Sequence, residues 1–320
     1  MAAKSDLNEI YISSSPHFHS GHSTKKIMLS VIISLLPLCV WGVITFGIPA
    51  LITILTSVVS CVIFELFIQK VTKRPVRVSD CSAIVTGIML ALVLPPTTPI
   101  WITMLGAFFA IVVAKELFGG IGANVFNPAL TGRAFLFVSF PVVLGSQWLD
   151  PATDAISGAT MLSSMKAGTA VADSDLYLQY FLGSRAGCIG ETSILLILIA
   201  FVFLVVTKII DWRAPVAMVA TVAVATAIAG GDVLLSLLTG GLLFGAVFMV
   251  TDYATSPVTP VGRLIFGFGC GLITFLIRQF GGYPEGVMFS ILIMNSVVPF
   301  LNKIVGRKYG YKLQKKGAKK

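Results

Sequence analysis

The chain has 320 residues, of which 56% are hydrophobic and 12% are charged, and its mean hydropathy is +0.93. Soluble domains carry about 25% charged residues, so this composition excludes an ordinary soluble protein. The formal net charge of +9 raises the question of nucleic-acid binding, but the basic residues lie between apolar stretches and do not form one patch. We therefore expect a polytopic membrane protein with no nucleic-acid partner.

Residues 1–26 form a polar N-terminal tail. They contain no apolar core of the kind that a cleavable signal peptide needs. His17, His19 and His22 lie close together in this tail. Metal binding is one interpretation of such a cluster, but no Cys or carboxylate lies beside it. We expect the tail to rest on the inner membrane surface or on a partner protein, and we predict no metal site.

Long apolar stretches follow the tail. A membrane-spanning helix needs about 20 mostly apolar residues, and the chain contains about ten candidates, several of them short or interrupted by Gly and Pro. They lie at about 27–47, 49–69, 81–95, 99–118, 128–145, 191–208, 214–230, 233–250, 263–278 and 286–304. The prediction is an all-α integral membrane protein with a first membrane unit at 27–145 and a second at 191–304.

A few ionisable residues fall within or at the ends of these stretches. Such residues mark ion or proton paths by default. Glu65 lies in the second stretch, Arg133 opens the fifth and Asp252 follows the eighth, while Lys115 and Glu116 close the fourth. We select Asp252, Glu65 and Arg133 as candidates for an ion path. For Asp252 the alternative is a structural role, in which the carboxylate caps the following turn.

Residues 146–190 connect the two membrane units, and they are the only long loop that we predict outside the membrane between apolar stretches. Loops beyond 12–15 residues are usually functional or disordered. This loop contains Asp154, Ser157, Gly158, Ala159 and Thr160, a pattern that resembles the Asp-x-x-Ser-Gly-Ala-Thr signal of a transferase that moves FMN from FAD onto threonine. Small neighbours allow the Thr160 hydroxyl to approach a phosphorus atom closely, and Asp154 would hold the loop or a Mg²⁺ ion. The alternative is an unmodified turn.

The two membrane units echo each other. Three short motifs recur in the same order in both halves. The pairs are 86–90 with 239–243, 95–99 with 255–260, and 118–120 with 280–282. Five helices per half give the halves opposite orientations, and inverted repeats with broken helices are typical of transporters and channels. Ordinary proline kinks between packed helices are the alternative interpretation.

The basic residues predict the orientation in the membrane. With residues 1–26 in the cytoplasm, all of the 23 Lys and Arg residues except Lys166, Arg185 and Arg278 lie on the inner side. This distribution satisfies the positive-inside rule and predicts that both termini are cytoplasmic and that the 146–190 loop is outside. The basic tail at 305–320 is interpreted as a topology anchor that contacts lipid headgroups. The five cysteines have no paired spacing, which predicts no thiolate metal site.

Several motifs together resemble one known family. They are the Ser-Pro-His of the N-terminal tail, the segment 126–134, the motif ending at Thr160, the segment 251–257, and the segment 283–286 with Asn295 and Pro299. In this order they resemble the D-type membrane component of Rnf complexes, the ion-pumping ferredoxin:NAD⁺ oxidoreductases, and its relative NqrB. The resemblance covers the chain nearly from end to end, and the length fits the Rnf component (RnfD) better than NqrB.

The resemblance implies a urea-transporter-like fold of ten helices in two inverted repeats and FMN bound covalently to Thr160. It also implies partners, namely Rnf subunits of the A, B, C, E and G types and the flavin transferase. NqrB also holds a noncovalent riboflavin, and whether this chain does is left open by its residues. The expected function is a membrane subunit that couples electron transfer to Na⁺ or H⁺ transport in the inner membrane without being catalytic alone.

A function of another class remains as the alternative. A stand-alone channel or solute transporter of the same fold has no redox role, and in it the 146–190 loop would be only an extracellular cap. The motif from Asp154 to Thr160 discriminates between the two, because a channel does not need a flavin attachment site.

Overall fold

In a computed structural model of the chain, the described residues are 23–145, 148–149, 156–157, 161–166, 174–183, 185–283 and 285–305. Helices joined by short breaks make up the first half. They are α1 (Thr24–Phe46), α2 (Ile48–Val71), a 3₁₀ turn (Val78–Asp80), α3 (Ser82–Leu92), α4 (Ile100–Phe108) with a π-helical continuation (Phe109–Glu116), α5 (Pro128–Ser139) and α6 (Pro141–Gly145).

Local sequence explains where these helices begin and end. Ser23 caps α1 by accepting from the Lys26 amide at 3.3 Å, and Asn127 caps α5 by accepting from the Leu130 amide at 3.2 Å. Side-chain oxygens at this position satisfy amides that have no partner within the helix. Gly47 separates α1 from α2 at φ +69°, a conformation that glycine adopts without steric cost.

The described part of the 146–190 loop contains secondary structure of its own. Strands β1 (Trp148–Leu149) and β2 (Ile156–Ser157) pair antiparallel, with Trp148 opposite Ser157. Two short helices follow, α7 (Met161–Lys166) and α8 (Ser174–Leu182). The paired strands are a small departure from the all-α prediction, and they arise because the backbone of an extended segment finds its hydrogen-bond partners in a neighbouring strand.

The second half also consists of helices joined by short breaks. It contains α9 (Ile194–Val206), α10 (Arg213–Ile228), α11 (Val233–Leu238), α12 (Leu242–Phe244) with a π-helical continuation (Gly245–Met249), α13 (Pro260–Phe280) and α14 (Val287–Val305). The predicted stretch 233–250 is therefore interrupted. Gly240 lies in the interruption at φ +67°, and this conformation ends the helical path.

Among the described helices, α1, α2 and α13 are long and apolar enough to cross a membrane by length and composition. Each of the other predicted stretches also contains helix, in shorter or divided segments. Large apolar side chains are exposed on the outer faces of these helices, as for Ile48 at 72% and Ile228 at 83%. A helical, lipid-embedded protein accounts for this exposure, since lipid replaces the covering that a soluble protein would need.

Small residues bring the helices close together. A Cβ atom on Gly267 of α13 would lie 2.3 Å from the Ala214 carbonyl oxygen of α10, and one on Gly87 of α3 would lie 2.7 Å from the Val58 Cα of α2. Contacts between the halves join α1 to α9 and α5 to α14. Helix association in lipid depends on such close packing, because lipid chains are as apolar as leucine.

Candidate functional site

The described residues enclose a cavity beneath the 146–190 loop, which we call the loop-side cavity. Its volume is about 330 Å³. Aromatic and charged side chains share its wall: Phe137, Trp148, Tyr180, Tyr283, Phe289, Arg133, Arg185, Glu191 and Glu285. Largely apolar walls with a few polar groups that converge are typical of cofactor sites.

An ion pair between the two halves lies at the base of this cavity. Arg133 of α5 donates from Nη2 to Glu285 Oε2 at 3.0 Å. The other carboxylate oxygen, Glu285 Oε1, accepts from the Gly241 amide at 2.7 Å. Arg133 Nη2 also lies 3.5 Å from Cys188 Sγ. Glu285 therefore links α5 to the backbone just before α12.

Gly241 belongs to the break between α11 and α12, and two further arginines bind at the other end of this break, where α11 ends. Arg278 donates to the carbonyl oxygens of Ser236 at 2.7 Å and Thr239 at 3.1 Å, and Arg185 donates to those of Leu238 and Glu191. The last carbonyls of a helix have no intrahelical partner, and cations are favourable at that end. The break between α11 and α12 thus has arginines at its carbonyl end and a carboxylate at its amide end.

The chain around the predicted flavin motif borders this cavity. Trp148, which pairs with Ser157, lines the cavity, and so does Leu162 of α7. The Thr239 hydroxyl lies 3.8 Å from Met165 Sδ, so α7 rests on the break after α11. Asp154, Gly158, Ala159 and Thr160 lie outside the described residues, and Ser157 is described only in its backbone.

Glu65 belongs to a second polar cluster. It accepts from Lys115 Nζ at 3.0 and 3.1 Å, and Lys115 also donates to Ser82 Oγ at 2.6 Å. Gln69 bridges Glu65 and Glu116 at 3.1 and 3.2 Å. Glu65 and Lys115 are almost fully buried, and a buried pair of this kind needs the extra hydrogen bonds that Ser82 and Gln69 provide.

Asp252 lines a different cavity, near the start of α1, which we call the tail-side cavity. Its volume is about 420 Å³, and Thr24, Met28, Thr86, Lys115 and Asp252 are among its lining residues. Asp252 Oδ2 accepts from the Thr255 hydroxyl at 2.9 Å. Asp252 therefore shares its cavity with the lysine that pairs with Glu65, whereas Arg133 belongs to the loop-side cavity.

Asparagines tie the two halves together between these cavities. In the amide orientation that satisfies its neighbours, Asn295 accepts from the Asn127 amide at 3.1 Å and donates to the Thr255 carbonyl at 3.2 Å. A layer of apolar residues, including Leu92, Leu130 and Met249, lies next to Arg133 and Glu285. Among the residues that the structure describes, no three His, Cys, Asp or Glu side chains come together as a metal cluster.

Sequence reasoning did not select Glu191, Glu285, Arg185 or Arg278 as site residues. A signal was nevertheless present: Arg185 and Arg278 are two of the three basic residues that depart from the positive-inside distribution. Basic residues on the unexpected side are candidates for internal partners, because they do not serve orientation.

The sequence profile of the NQR2, RnfD, RnfE family matches residues 11–310 of the chain. The chain is 44% identical over 317 residues to the D component of the Na⁺-translocating ferredoxin:NAD⁺ oxidoreductase complex of Acetobacterium woodii, covering 98% of this chain and 100% of the relative. It is 43% identical over 312 residues to the D component of the proton-translocating ferredoxin:NAD⁺ oxidoreductase complex of Clostridium ljungdahlii, covering 92% of this chain and 94% of that protein. It is 38% identical over 327 residues to the D component of the ion-translocating oxidoreductase complex of Stutzerimonas stutzeri, covering 90% and 92%.

Proposed function

The chain belongs to the NQR2, RnfD, RnfE family, and from this we propose that it is the D component of an ion-translocating ferredoxin:NAD⁺ oxidoreductase complex and carries covalent FMN at Thr160. Relatives that match nearly the whole chain are named as that component. One of these relatives is named for Na⁺ and the other for protons, so the coupled ion of this chain is Na⁺ or H⁺. The protein belongs to an oxidoreductase complex and is not catalytic alone.

The loop-side cavity is the main observation that supports the proposal of FMN on Thr160. Leu162 and Trp148 both line it, Thr160 is two residues before Leu162, and Trp148 pairs with Ser157 in the same motif. Consecutive Cα atoms are 3.8 Å apart, so a group on Thr160 is within reach of the cavity. The residues present fit a flavin: aromatic rings offer flat apolar faces, and arginines offer donors and positive charge.

The chain's own residues hold and orient this group. FMN supplies one- and two-electron redox chemistry when it is attached. Tyr283 and Phe289, whose rings stack with centroids 5.8 Å apart, provide a rigid apolar wall. Leu162 and Met165 hold α7 against Thr239 and Gly240, which fixes the segment directly after the attachment site. Attachment through a phosphodiester would leave the ring free to exchange electrons with partner subunits.

We further propose ten membrane spans in two inverted five-helix repeats of the urea-transporter type, with both termini in the cytoplasm and the 146–190 loop outside the inner membrane. In the repeat, α1 corresponds to α9 and α5 to α14, and both of these pairs are in contact. In an inverted repeat the elements nearest the symmetry axis contact their own counterparts, so these two contacts support the proposal. Membrane lipid surrounds the exposed apolar faces.

The candidate ion path is proposed to run from the tail-side cavity. Asp252 lines this cavity, and Lys115 joins it to Glu65. Arg133 belongs to the loop-side end of the same route. Ion movement has to be linked to the redox step by an element with two arrangements, and the breaks around α12 and before α13 are the proposed element.

The partners proposed are Rnf subunits of the A, B, C, E and G types and the transferase that attaches the flavin. The relatives are named as subunits of a complex, so the electron that arrives at this chain comes from another subunit. The motif from Asp154 to Thr160 is the recognition sequence that the transferase would use.

Substitution of Thr160 tests the assignment. Thr160→Ala, co-expressed with the transferase, is expected to lose the ultraviolet fluorescence of the denatured chain in a gel, because the hydroxyl that forms the bond is gone. Thr160→Ser keeps a hydroxyl and is expected to label partially. Thr153→Ala, seven residues away in the same loop, is the matched control and should stay fluorescent. Fluorescence that persists in Thr160→Ala would show that attachment lies elsewhere, and a dark wild-type chain would favour the channel alternative.

A further inference from the structure

Charge is unevenly distributed at the base of the loop-side cavity. The cluster contains three arginines, Arg133, Arg185 and Arg278, and two glutamates, Glu191 and Glu285. Arg133 donates to the Glu285 carboxylate, whereas Arg185 and Arg278 donate to backbone carbonyls and the Glu191 carboxylate accepts from the Cys188 amide. Among the described residues this cluster therefore has one positive charge in excess. At partly buried positions such a charge acts more strongly on a nearby charge than it would in bulk water.

The three arginines are not equivalent. Arg185 and Arg278 each use both terminal nitrogens on backbone carbonyls. The carbonyls that accept from Arg278 are those of Ser236 and Thr239 at the end of α11, and those that accept from Arg185 are Leu238 at the same end and Glu191. The described hydrogen bonds of Arg133 all come from Nη2, to Glu285 and to Cys188. A guanidinium has five N–H donors. Arg133 is therefore the arginine of the cluster whose described bonds leave a terminal nitrogen, Nη1, for a further acceptor, whereas the donor left on Arg278 is its buried Nε.

Glu285 is the partner that competes for this guanidinium. One of its carboxylate oxygens accepts from Arg133 and the other from the Gly241 amide. The Gly241 bond fixes Glu285 at the start of α12, so the carboxylate stays beside the cavity whichever acceptor Arg133 takes. Arg133 and Glu285 are thus fixed charges of opposite sign at one place on the cavity wall.

We propose that Arg133 stabilises the negative charge that the Thr160 flavin gains with an electron, and that Glu285 opposes this effect, so that the pair sets the midpoint potential of the flavin. The inference rests on the proposed function, since it requires the flavin. The electron comes from a one-electron carrier of the complex, which is thereby oxidised. When no proton follows, the ring gains one negative charge, and Arg133 offers this charge the donors that Glu285 leaves free.

Opposite shifts of the midpoint potential test this inference. Arg133→Gln is expected to disfavour the reduced ring at least tenfold, which lowers the midpoint potential by about 59 mV for one electron. Glu285→Gln keeps an oxygen for the Gly241 amide, removes the competing charge, and is expected to raise the potential. Arg133→Lys keeps the charge and should show the smaller shift. The measurement is a spectroelectrochemical titration of the purified full chain after flavinylation in cells.

The control is Arg213→Gln. It also removes one positive charge from an ion pair, that of Arg213 with Asp211 at 2.9 Å, but far from this cavity along the chain, and it should leave the potential unchanged. A purely structural role of the pair would move Arg133→Gln and Glu285→Gln in the same direction. That result, or unchanged potentials in flavinylated variants, overturns the inference.

The other possible results of the titration also support or overturn the inference. If Arg133→Gln does not fold, Glu285→Gln alone settles the matter: a raised potential supports the proposal and an unchanged or lowered one overturns it. A wild-type chain without covalent flavin overturns the proposed function and this inference together. A flavinylated chain whose potential does not respond overturns only the inference.

Discussion

At the scale of single residues, the buried arginines are held mainly by backbone carbonyls. Arg185 and Arg278 bond to the last carbonyls of α11, where a helix carries partial negative charge. Taking a charge out of water is costly unless it is hydrogen-bonded, and these carbonyls provide the bonds without a carboxylate for each arginine. The end of α11 at the helix break therefore supplies the acceptors that stabilise Arg185 and Arg278 at the cavity.

Asp252 offers a prediction at this scale. In Asp252→Asn the side-chain oxygen still accepts from the Thr255 hydroxyl, a bond of 2.9 Å in the native chain, so we expect normal folding, assembly and flavinylation. The charge that would bind the ion is lost, and ion transport by proteoliposomes holding the complete complex should fall at least tenfold. Transport is measured as labelled Na⁺ uptake and as protonophore-sensitive acidification.

The matched variant for Asp252 is Thr255→Val. It removes the turn hydrogen bond and keeps the charge, so it should lose about 1 kcal/mol of stability while the folded complex still transports. Transport at the native rate in Asp252→Asn would leave Asp252 as a turn residue, in which role Asn is an equally good cap. Neither result for Asp252→Asn would affect the proposal that Thr160 carries the flavin.

At the scale of elements, the contact between α10 and α13 depends on glycine. Gly267 and Gly271 are one turn apart, and a Cβ on them would lie 2.3 Å from the Ala214 oxygen and 2.6 Å from the Met218 oxygen. Small residues at this spacing let two helices approach closely in lipid. The same close approach keeps α13 beside the second half's breaks and so positions Arg278.

Gly267→Ala is therefore expected to destabilise the chain. Backbone atoms of α10 cannot move aside as a flexible side chain can, and overpacking of this kind costs about 1–3 kcal/mol. The melting temperature in detergent, followed by fluorescence-detected size exclusion, should fall. Gly269→Ala is the matched control on the same helix, because its Cβ would meet the flexible end of Met294 at 2.6 Å. Equal melting temperatures for the two variants would contradict this account.

At the scale of the whole molecule, the two cavities are lined by different residues, and the proposed function assigns the flavin to one and the ion to the other. The loop-side cavity contains the residues suited to a flavin, and the tail-side cavity contains Asp252 and Lys115. Asn127 and Asn295 join the halves between them. This arrangement fits the proposed function, because a redox group and an ion in separate cavities are linked only through the elements that connect them.

Orientation in the membrane is the prediction at this scale. In a background without the five native cysteines, Ser163→Cys should react with an impermeant maleimide applied to intact cells, whereas Lys208→Cys should react only after permeabilisation. A reporter fused after Lys320 should report the cytoplasm. The reverse pattern would overturn the positive-inside argument and put the flavin loop on the wrong side for a secreted transferase.

Much of the fold was predictable because helix formation depends on local sequence. Apolar stretches indicated the positions of α1, α2 and α13 within a few residues, and Pro95 and Pro96 indicated the break after α3. The division of 233–250 into α11 and α12 was not predicted, since Thr239, Gly240 and Gly241 are tolerated in a helix at modest cost. Their effect here depends on partners elsewhere, namely Arg278 at Thr239 and Glu285 at Gly241.

The sequence by itself determined the class of protein, the apolar segments, the family and the flavin motif, because each follows from composition or from residues that are neighbours along the chain. Only the tertiary structure decided which charges meet. Arg133 and Glu285 are 152 residues apart, and Lys115 and Glu65 are 50 apart. The cost of burying a charge is met by partners in space, and no spacing along the chain reveals them. The cavity walls are shared between both halves for the same reason, and they exist only once the helices have packed.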